Sequence, residues 1–279
     1  MLDMKHNIPM KTLGAQAAHL VTSLYEENKN VFHLEDVRKI LGLDDSSTRN
    51  LVRKLVNRGV ATRLKPGLFI LVPYELGKER EYMGNPLIVA RELVNGRDYY
   101  LSHGTAMEIH GMVTQPQFVF YVTIPEKRRP VHIMGSDFRF LTCKKEHFFG
   151  TINHWVTKQE QVRISDLEKT IIDSLYRPEN CGGITEAAKG IWMRRQDVNL
   201  GRLIEYALKM DIGAVIRRLG YILELYAVCS PEKLETLRRR LTETYARIDP
   251  ILPAEGKFIR KWRIRLNVSP DELLLAVRT

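Results

Sequence analysis

The chain has 279 residues, of which 44% are hydrophobic and 27% charged, a composition typical of globular proteins and long enough for two domains. Its net charge of +10 favours polyanionic partners, meaning nucleic acid, an anionic membrane surface or an acidic protein. The cysteines Cys143, Cys181 and Cys229 lack metal-type spacing, which argues against a zinc site or a disulfide scaffold. No apolar signal core or bilayer-length segment is evident, so we expect a cytoplasmic protein that does not use a membrane.

Two amphipathic helices are predicted near the N-terminus. The first covers Thr12–Asn28, with Thr12 as its cap, and the second covers His33–Leu41. Gly42 stands where a helix commonly ends, because glycine accepts the left-handed conformation. One of the three residues Asp44, Asp45 and Ser46 is expected to cap the next helix.

The third helix is predicted over Ser46–Asn57 and has two different faces. The face expected to be buried carries Thr48, Leu51, Val52, Leu55 and Val56. The opposite face carries Ser46, Asn50, Arg53 and Asn57, with Ser47, Arg49 and Lys54 on its flanks. Short polar and basic side chains of this kind suit contacts to base edges and phosphates, although a solvated outer face would have the same pattern.

A basic hairpin follows the third helix and favours DNA binding. Its strands are predicted at Val60–Leu64 and Leu68–Val72, joined by Lys65-Pro66-Gly67. Arg63 and Lys65 lie at or beside its tip, where they can meet phosphate, and no acidic residue occurs between Ser46 and Val72. The order of helix, turn, helix and basic hairpin predicts a winged helix-turn-helix DNA-binding domain.

The polar, turn-rich segment Pro73–Glu81 predicts a domain boundary, with residues 1–80 in the DNA-binding domain and 81–279 in a larger C-terminal domain. The overall expectation is an α+β protein whose larger domain begins with mixed α/β elements and ends with helices.

In the larger domain a helix is predicted at Leu87–Leu93, a short strand at Asp98–Leu101 and a helix at Gly104–His110. Five strands follow, at Phe118–Ile124, Val131–Met134, Phe138–Cys143, Asn153–Val156 and Gln161–Ile164. Helices are then predicted at Ser165–Tyr176, Thr185–Arg194, Leu200–Met210, Ala214–Val228 and Pro231–Thr242. Ile259–Leu266 alternates as an edge strand would, and Ser269 is expected to cap a final helix with Pro270 in its first turn.

No constellation in the sequence supports catalysis or a resident metal or cofactor. His103, Glu108 and His110 are close in sequence, but their spacing does not match a zinc or manganese site, and Ser102 or His103 fits a helix cap better. There is no nucleophile elbow of the G-x-S-x-G type. The acidic residues Asp166, Glu168 and Asp173 are read as charges near a helix N-terminus, opposing the helix dipole. Cys181-Gly182-Gly183 lacks the flanking residues of a phosphate loop and is read as a turn between helices.

Two further basic clusters extend the positive field beyond the winged helix. They are Lys127-Arg128-Arg129 with Lys144-Lys145, and Arg260-Lys261-Arg263-Arg265.

Three stretches resemble motifs of the AbiEi antitoxin family. They are YYLSHGTAMEIHGM (Tyr99–Met112), ISDLEKTIIDSLYRPENCGGI (Ile164–Ile184) and RLGYILE (Arg218–Glu224), and the resemblance covers roughly Thr12–Leu225. These proteins are the antitoxins of AbiE-type abortive-infection, type IV toxin–antitoxin systems. The resemblance implies that the N-terminal domain binds inverted repeats in double-stranded promoter DNA and represses its own operon. It also implies that the C-terminal domain neutralises a nucleotidyltransferase-like toxin without a stable complex.

Two other functions stay open at this stage. One is a stand-alone winged-helix regulator whose larger domain senses a small molecule, which would need an apolar pocket with convergent polar groups. The other is an enzyme acting on nucleic acid with the winged helix as its targeting module. The missing catalytic constellation counts against the enzyme, and a downstream toxin-like gene would favour the antitoxin over the regulator.

Overall fold

The computed structural model describes residues 11–278, with side chains through Leu275. Residues 1–10, where the sequence predicts no signal core, and Thr279 lie outside the described residues. The chain divides into two compact units. The N-terminal unit comprises the chain through Arg97 together with His132–Ser136 and Trp155–Val162, and the C-terminal unit comprises the remainder. This division first separates the units between Arg97 and Asp98, whereas the sequence-based boundary lies between residues 80 and 81.

The N-terminal unit contains four helices and a small antiparallel sheet. In chain order its elements are α1 (Ala15–Glu26), β1 (Val31–His33), α2 (Leu34–Leu41), α3 (Asp45–Asn57), β2 (Ala61–Lys65), β3 (Leu68–Leu71) and α4 (Pro86–Val94). A short 3-10 helix spans Tyr74–Leu76. The sheet has the strand order β1-β3-β2, and Phe32 pairs with Phe69 across it. Helices α1, α2 and α3 and the sheet close over one apolar core, which includes the fully buried Leu20, Leu24 and Phe32.

Local signals predicted most of these element ends. Gly42 ends α2 with φ +63°, and Asp44 is the cap of α3, as the sequence indicated. Gly67 has φ +82°, as the second central residue of a type II turn requires. The prediction of Thr12 as the first cap was wrong. Gly14 occupies that position, because the helix begins at Ala15 and Thr12 lies outside its first turn.

The C-terminal unit is a mixed α/β body followed by helices and a second small sheet. Its first elements are β4 (Tyr100–Leu101), α5 (His103–Ile109) and β5 (Val119–Ile124). The next four strands are β6 (Val131–Ile133), β7 (Ser136–Thr142), β8 (Thr151–Trp155) and β9 (Gln161–Ser165), and each has residues in both units. The later elements are α6 (Leu167–Tyr176), α7 (Ile184–Met193), α8 (Leu200–Met210), α9 (Gly213–Leu225), α10 (Pro231–Arg238), β10 (Ala246–Arg247), β11 (Lys257–Ile259), β12 (Ile264–Leu266) and α11 (Pro270–Arg278). Short 3-10 helices occur at Lys145–His147, Pro178–Asn180 and Arg260–Trp262. The fold is therefore of mixed α+β class.

The larger sheet has the strand order β6-β7-β5-β4-β9-β8. Its central strand β4 pairs antiparallel with β5 and parallel with β9. Helix α6 packs against α5, α7, α8 and α9 and lies in the middle of an apolar core that includes Ile171, Leu175 and Leu219. None of the helices in residues 11–278 is long and apolar enough to cross a membrane.

The prediction of one edge strand over Ile259–Leu266 was wrong. The segment forms β11, a 3-10 turn and β12, and Arg263 takes the left-handed conformation with φ +50°. This break lets Trp262 enter the core with 0% exposure, where its Nε1 donates to Glu224 Oε2 at 2.7 Å. The end of the chain follows the prediction, since Ser269 Oγ accepts the Glu272 amide at the start of α11.

Candidate functional site

The most accessible candidate site lies on α3. Its inner face buries Thr48, Val52 and Leu55, and Leu51 and Val56 pack partly buried against the same core. This burial fixes the rotation of the helix, so the opposite face must point to solvent. Of the nine residues predicted to contact DNA, seven are exposed, namely Ser46, Arg49, Asn50, Arg53, Lys54, Asn57 and Arg63. The other two, Ser47 and Lys65, are half-buried.

The stripe made by Asn50, Arg53 and Asn57 has the spacing of one helix face. Arg53 and the neighbouring Lys54 make no ion pair with any residue between positions 11 and 278. Their charges are therefore not neutralised by an ion pair within the described part of the chain. An unpaired cation beside two amide side chains presents donors and acceptors of the kind that base edges and phosphates accept.

The start of α3 is different, because acidic residues occupy it. The Asp44 carboxylate accepts hydrogen bonds from the Ser46 and Ser47 amides at 2.8 and 2.9 Å and from Ser47 Oγ at 2.7 Å. The bonds from Ser47 hold the pKa of Asp44 below its usual value. Arg49 lies 3.7 Å from Asp45 in an exposed pair. Ser47 is thus engaged in the cap, and a phosphate contact by Arg49 would have to compete with Asp45.

The hairpin of β2 and β3 lies directly after α3. A register shift between Arg63 and Lys65 forms a bulge next to the turn, and the exposed Arg63 side chain makes no ion pair with a described residue. On the other face of β2, Thr62 Oγ1 donates to the Arg80 carbonyl at 2.9 Å and accepts the Tyr82 amide at 3.0 Å. Residues 80 and 82 therefore fix one face of β2, while the Arg63 side chain on the opposite face points to solvent.

Arg80 is a supporting residue that the sequence did not indicate. Its guanidinium donates to the carbonyl of Asn57 at the end of α3, and its own carbonyl holds Thr62 on β2. It thus fixes the helix relative to the hairpin. It lies in the segment predicted to be a linker, and no local pattern marks a long-range contact of this kind.

The candidate metal residues are separated in the structure. His103 is buried, His110 Nε2 contacts the Ser165 carbonyl at 2.8 Å, and a Glu108 oxygen accepts the Gln117 amide at 3.3 Å. Within residues 11–278 no three histidine, cysteine or acidic side chains lie together as metal ligands would. Ser102 occupies the cap position of α5 but makes no side-chain capping bond, because its Oγ pairs with Thr123 and His103 instead. Ser102 therefore takes the predicted cap position, but its side chain does not bind the amides of the first turn.

A buried polar cluster made by Tyr100, His103, Lys169 and Asp173 lies beneath the larger sheet. Lys169 and Asp173 form an ion pair with 0% and 3% of their side chains exposed, and Lys169 Nζ also lies 3.3 Å from the Tyr100 hydroxyl. Burial lowers the pKa of His103 to about 4 and, with the Asp173 charge, raises the pKa of Tyr100 well above 10.0. The adjoining cavity has a volume of about 10 Å³. That is room for about one water molecule, so the cluster has no space for a substrate.

The acidic residues of α6 have structural partners. Asp166 caps the helix by accepting the Lys169 amide at 2.7 Å, which agrees with a charge placed at the helix N-terminus. Glu168 is 1% exposed, pairs with Arg202 at 2.9 Å and accepts the Asn199 amide at 2.8 Å. These contacts join α6 to the start of α8 and leave no pair of carboxylates aimed at a common point.

The Cys181-Gly182-Gly183 segment forms the predicted turn between helices. Gly182 and Gly183 have φ values of +80° and +97°, which residues with side chains rarely adopt. The first amide of α7, from Ile184, is bound by an Asp249 carboxylate oxygen at 3.1 Å. A carboxylate already occupies the place that a phosphate would take in a phosphate loop.

The α+β architecture has a counterpart among solved structures. No family model and no curated protein matches the chain. The chain is similar in structure to the RV2827C protein from Mycobacterium tuberculosis, known from a crystal structure, with a TM-score of 0.69. The likeness covers 96% of this chain and 97% of the other, at 15% sequence identity. At that identity the comparison shows a shared fold and nothing about activity.

Proposed function

We propose that the protein is a DNA-binding antitoxin that represses its own operon. The observation that carries the DNA-binding part is the solvent-facing stripe of Asn50, Arg53 and Asn57, beside the exposed Arg63 of the hairpin. A helix with unpaired polar side chains next to a basic hairpin can place the helix in the major groove and the hairpin on the backbone.

The N-terminal unit is, in this proposal, a winged helix-turn-helix. The element order α1-β1-α2-α3-β2-β3 and the antiparallel sheet β1-β3-β2 support this assignment. Helix α3 is then the recognition helix and the β2–β3 hairpin the wing. Base contacts are assigned to Ser46, Asn50, Arg53 and Asn57, and phosphate contacts to Arg49, Lys54, Arg63 and Lys65.

The C-terminal unit is the proposed antitoxin part. All three stretches that resemble the AbiEi family, beginning at Tyr99, Ile164 and Arg218, lie in this unit. Several of their residues, including His103, Lys169 and Arg218, are buried. These residues shape the unit, so we place toxin neutralisation on its surface and assign no catalytic step to the chain. The proposed antagonist is a nucleotidyltransferase-like toxin in the same cytoplasm.

A ligand-sensing regulator receives less support. The cavity beside His103 has a volume of about 10 Å³, which is too small for a metabolite. A larger cleft of about 310 Å³ lies between α1 and α2, but charged residues such as Glu26, Lys29 and Asp36 line it rather than apolar ones. The first space is thus too small, and the second lacks the apolar walls that small-molecule sites commonly have.

The DNA-binding assignment is tested with promoter DNA from upstream of the coding region. We expect Arg53→Ala with Asn57→Ala to weaken binding by about 1–3 kcal/mol for each lost base contact. Arg239→Ala, directly after the end of α10, removes a cation whose side chain is 79% exposed. It is the matched control for loss of a surface cation and should leave affinity unchanged. Gel shift or fluorescence anisotropy at several salt concentrations measures both the affinity and its slope, about −0.9 per phosphate contact on log–log axes. Equal affinity of the double variant and the control would refute the assigned recognition face.

A further inference from the structure

The small sheet β10-β12-β11 has one buried and one exposed face. Ile264 of β12 is 0% exposed and faces the core, as does the preceding Trp262. The next row across the sheet consists of Arg247, Arg265 and Phe258, which are paired in register. Side chains alternate between the faces of a strand, so this row lies on the outer face.

Two aromatic rings lie on the outer face. Phe258 is 56% exposed and Tyr245, which directly precedes β10, is 38% exposed. Their ring centroids are 5.0 Å apart and the rings are nearly perpendicular, at 86°. The Arg265 guanidinium lies 5.2 Å from the centre of the Phe258 ring, and that of Arg263 lies 5.7 Å from the Tyr245 ring. Each aromatic residue is therefore coupled to a cation.

The positive charge of this face is not neutralised by the surrounding chain. Residues 245–267 contain six basic and two acidic residues. One of the acidic residues, Asp249, is buried and accepts the Ile184 and Ile251 amides. Among the described residues Lys261 pairs with Glu224, whereas no ion pair forms to the four cations Lys257, Arg260, Arg263 and Arg265. The face thus offers positive charge to a partner from outside.

We propose that the outer face of the β10-β12-β11 sheet binds single-stranded nucleic acid. An exposed ring such as Phe258 stacks on an unpaired base, and the arginine side chains on either side hold the phosphates. A duplex keeps its base faces stacked inside, so it would use the cations and leave the rings without a function. An acidic protein would satisfy the charge but has no comparable use for two rings paired with arginine. This proposal does not rest on operator binding by the N-terminal unit.

The test uses the full chain and fluorescently labelled 12-nucleotide oligouridine and oligothymidine, with a mixed-sequence duplex of equal length as competitor. We expect both single strands to bind, and the difference between them to show whether RNA is preferred over DNA. Phe258→Leu keeps the apolar volume but removes the ring, so binding should weaken by about 5- to 100-fold. Phe258→Trp should keep the affinity. Arg265→Gln should reduce the slope of affinity against salt by about 0.7 on log–log axes.

Phe118→Leu is the matched control, since Phe118 is an exposed ring (74%) elsewhere in the C-terminal unit. This variant and Arg53→Ala on α3 should bind the single strands as the wild type does. Thermal unfolding shows whether each variant is folded. If Phe258→Leu does not fold, the test rests on Phe258→Trp, which should keep the affinity, and on Arg265→Gln, which should reduce the salt slope. The proposal is wrong if neither single strand binds, if Phe258→Leu and Arg265→Gln have no effect, or if the duplex competes as well as an unlabelled single strand.

Discussion

His103 carries the most unusual local environment among the side chains of the C-terminal unit. Its backbone has φ +50°, a conformation that costs free energy for a residue with a side chain. Its Nδ1 pairs with Ser102 Oγ at 2.9 Å, while its buried Nε2 has no hydrogen-bond partner among the residues that the structure describes. A neutral imidazole with Nε2 as acceptor loses less from this arrangement than a charged one would, because burial removes the charged form from water and Lys169 repels it, and the nearby Asp173 offsets this only in part.

The stability of the protein should therefore depend on pH through His103. Its pKa is about 4 in the folded chain and about 6.5 when solvated, so between these values only the unfolded chain binds the proton. The stabilisation is complete above pH 6.5 and is lost as the pH falls to 4, at up to about 1.4 kcal/mol per pH unit. His103→Asn, which tolerates the left-handed backbone, should lessen this slope in urea unfolding at pH 4–7.

His110 serves as the comparison for this measurement. Burial also lowers its pKa, but it is only partly buried and its Nε2 contacts the Ser165 carbonyl. His110→Asn should change the slope less than His103→Asn. Equal slopes in the wild type and His103→Asn would mean that His103 is not protonated selectively on unfolding.

Local residue roles were predictable where they depend on backbone conformation alone. Gly42, Gly67 and Asp44 follow from turn and cap chemistry within a few residues. The roles of Arg80 and Lys169 were not predictable. Each depends on partners that the fold brings close, such as the contact of Lys169 with Tyr100 across 69 residues. In the sequence, a lysine followed four residues later by an aspartate looks the same whether the pair is buried or exposed on a helix surface.

At the scale of elements, the alternation of basic and apolar residues misled the prediction for Ile259–Leu266. Periodicity indicates which side chains can share a face, but it does not reveal the 3-10 turn at Arg260–Trp262 or the left-handed conformation of Arg263 that follows it. The bounds of α8 were predicted correctly because its apolar spacing is regular and Asn199 caps it. The candidate recognition face on α3 was predictable for the same reason, since an amphipathic helix with one clear apolar face has only one solvent face.

Helix α9 provides a sharp test of the packing around Trp262. Gly220 lies under the indole ring, and a Cβ at this position would overlap the ring atoms. Gly220→Ala should therefore destabilise the protein by about 1–3 kcal/mol through overpacking, although alanine is the better helix former. Differential scanning calorimetry should show a lower Tm.

The control for this substitution is Gly201→Ala on α8. Gly201 is exposed, and only the Asn199 side chain would come near a new Cβ, at 3.3 Å. The Tm of this variant should stay the same or rise slightly. A Gly220→Ala protein as stable as Gly201→Ala would show that the Trp262 ring can shift without cost.

At the scale of the whole molecule, the division into two units allows a test of whether the proposed repression and the proposed toxin neutralisation are separable. The full-length Arg53→Ala, Asn57→Ala variant should lose repression of a promoter reporter, because both side chains lie on the N-terminal unit and neither is buried. The same variant should still rescue cells from the co-expressed toxin. The full chain is used because His132–Ser136 and Trp155–Val162 belong to the N-terminal unit, so no single cut in the sequence separates the two units.

Each result of this experiment has a distinct meaning. Loss of rescue together with repression would contradict independent roles and would tie neutralisation to DNA binding. Retention of both activities would place the DNA-binding surface elsewhere. Immunoblotting should show equal protein levels, and Arg239→Ala should behave as the wild type in both assays.

The long-range contacts of Arg91 on α4 affect when the N-terminal unit can finish folding during translation. Its guanidinium binds Glu160 Oε1 and the Gln161 carbonyl, each at 2.9 Å, and Glu160 follows it by 69 residues. All these residues belong to the N-terminal unit. A ribosome that adds about 5–20 residues per second needs roughly 3–14 s to translate that interval. The N-terminal unit is therefore completed only after much of the larger sheet has been synthesised, when Glu160 and Gln161 become available to Arg91.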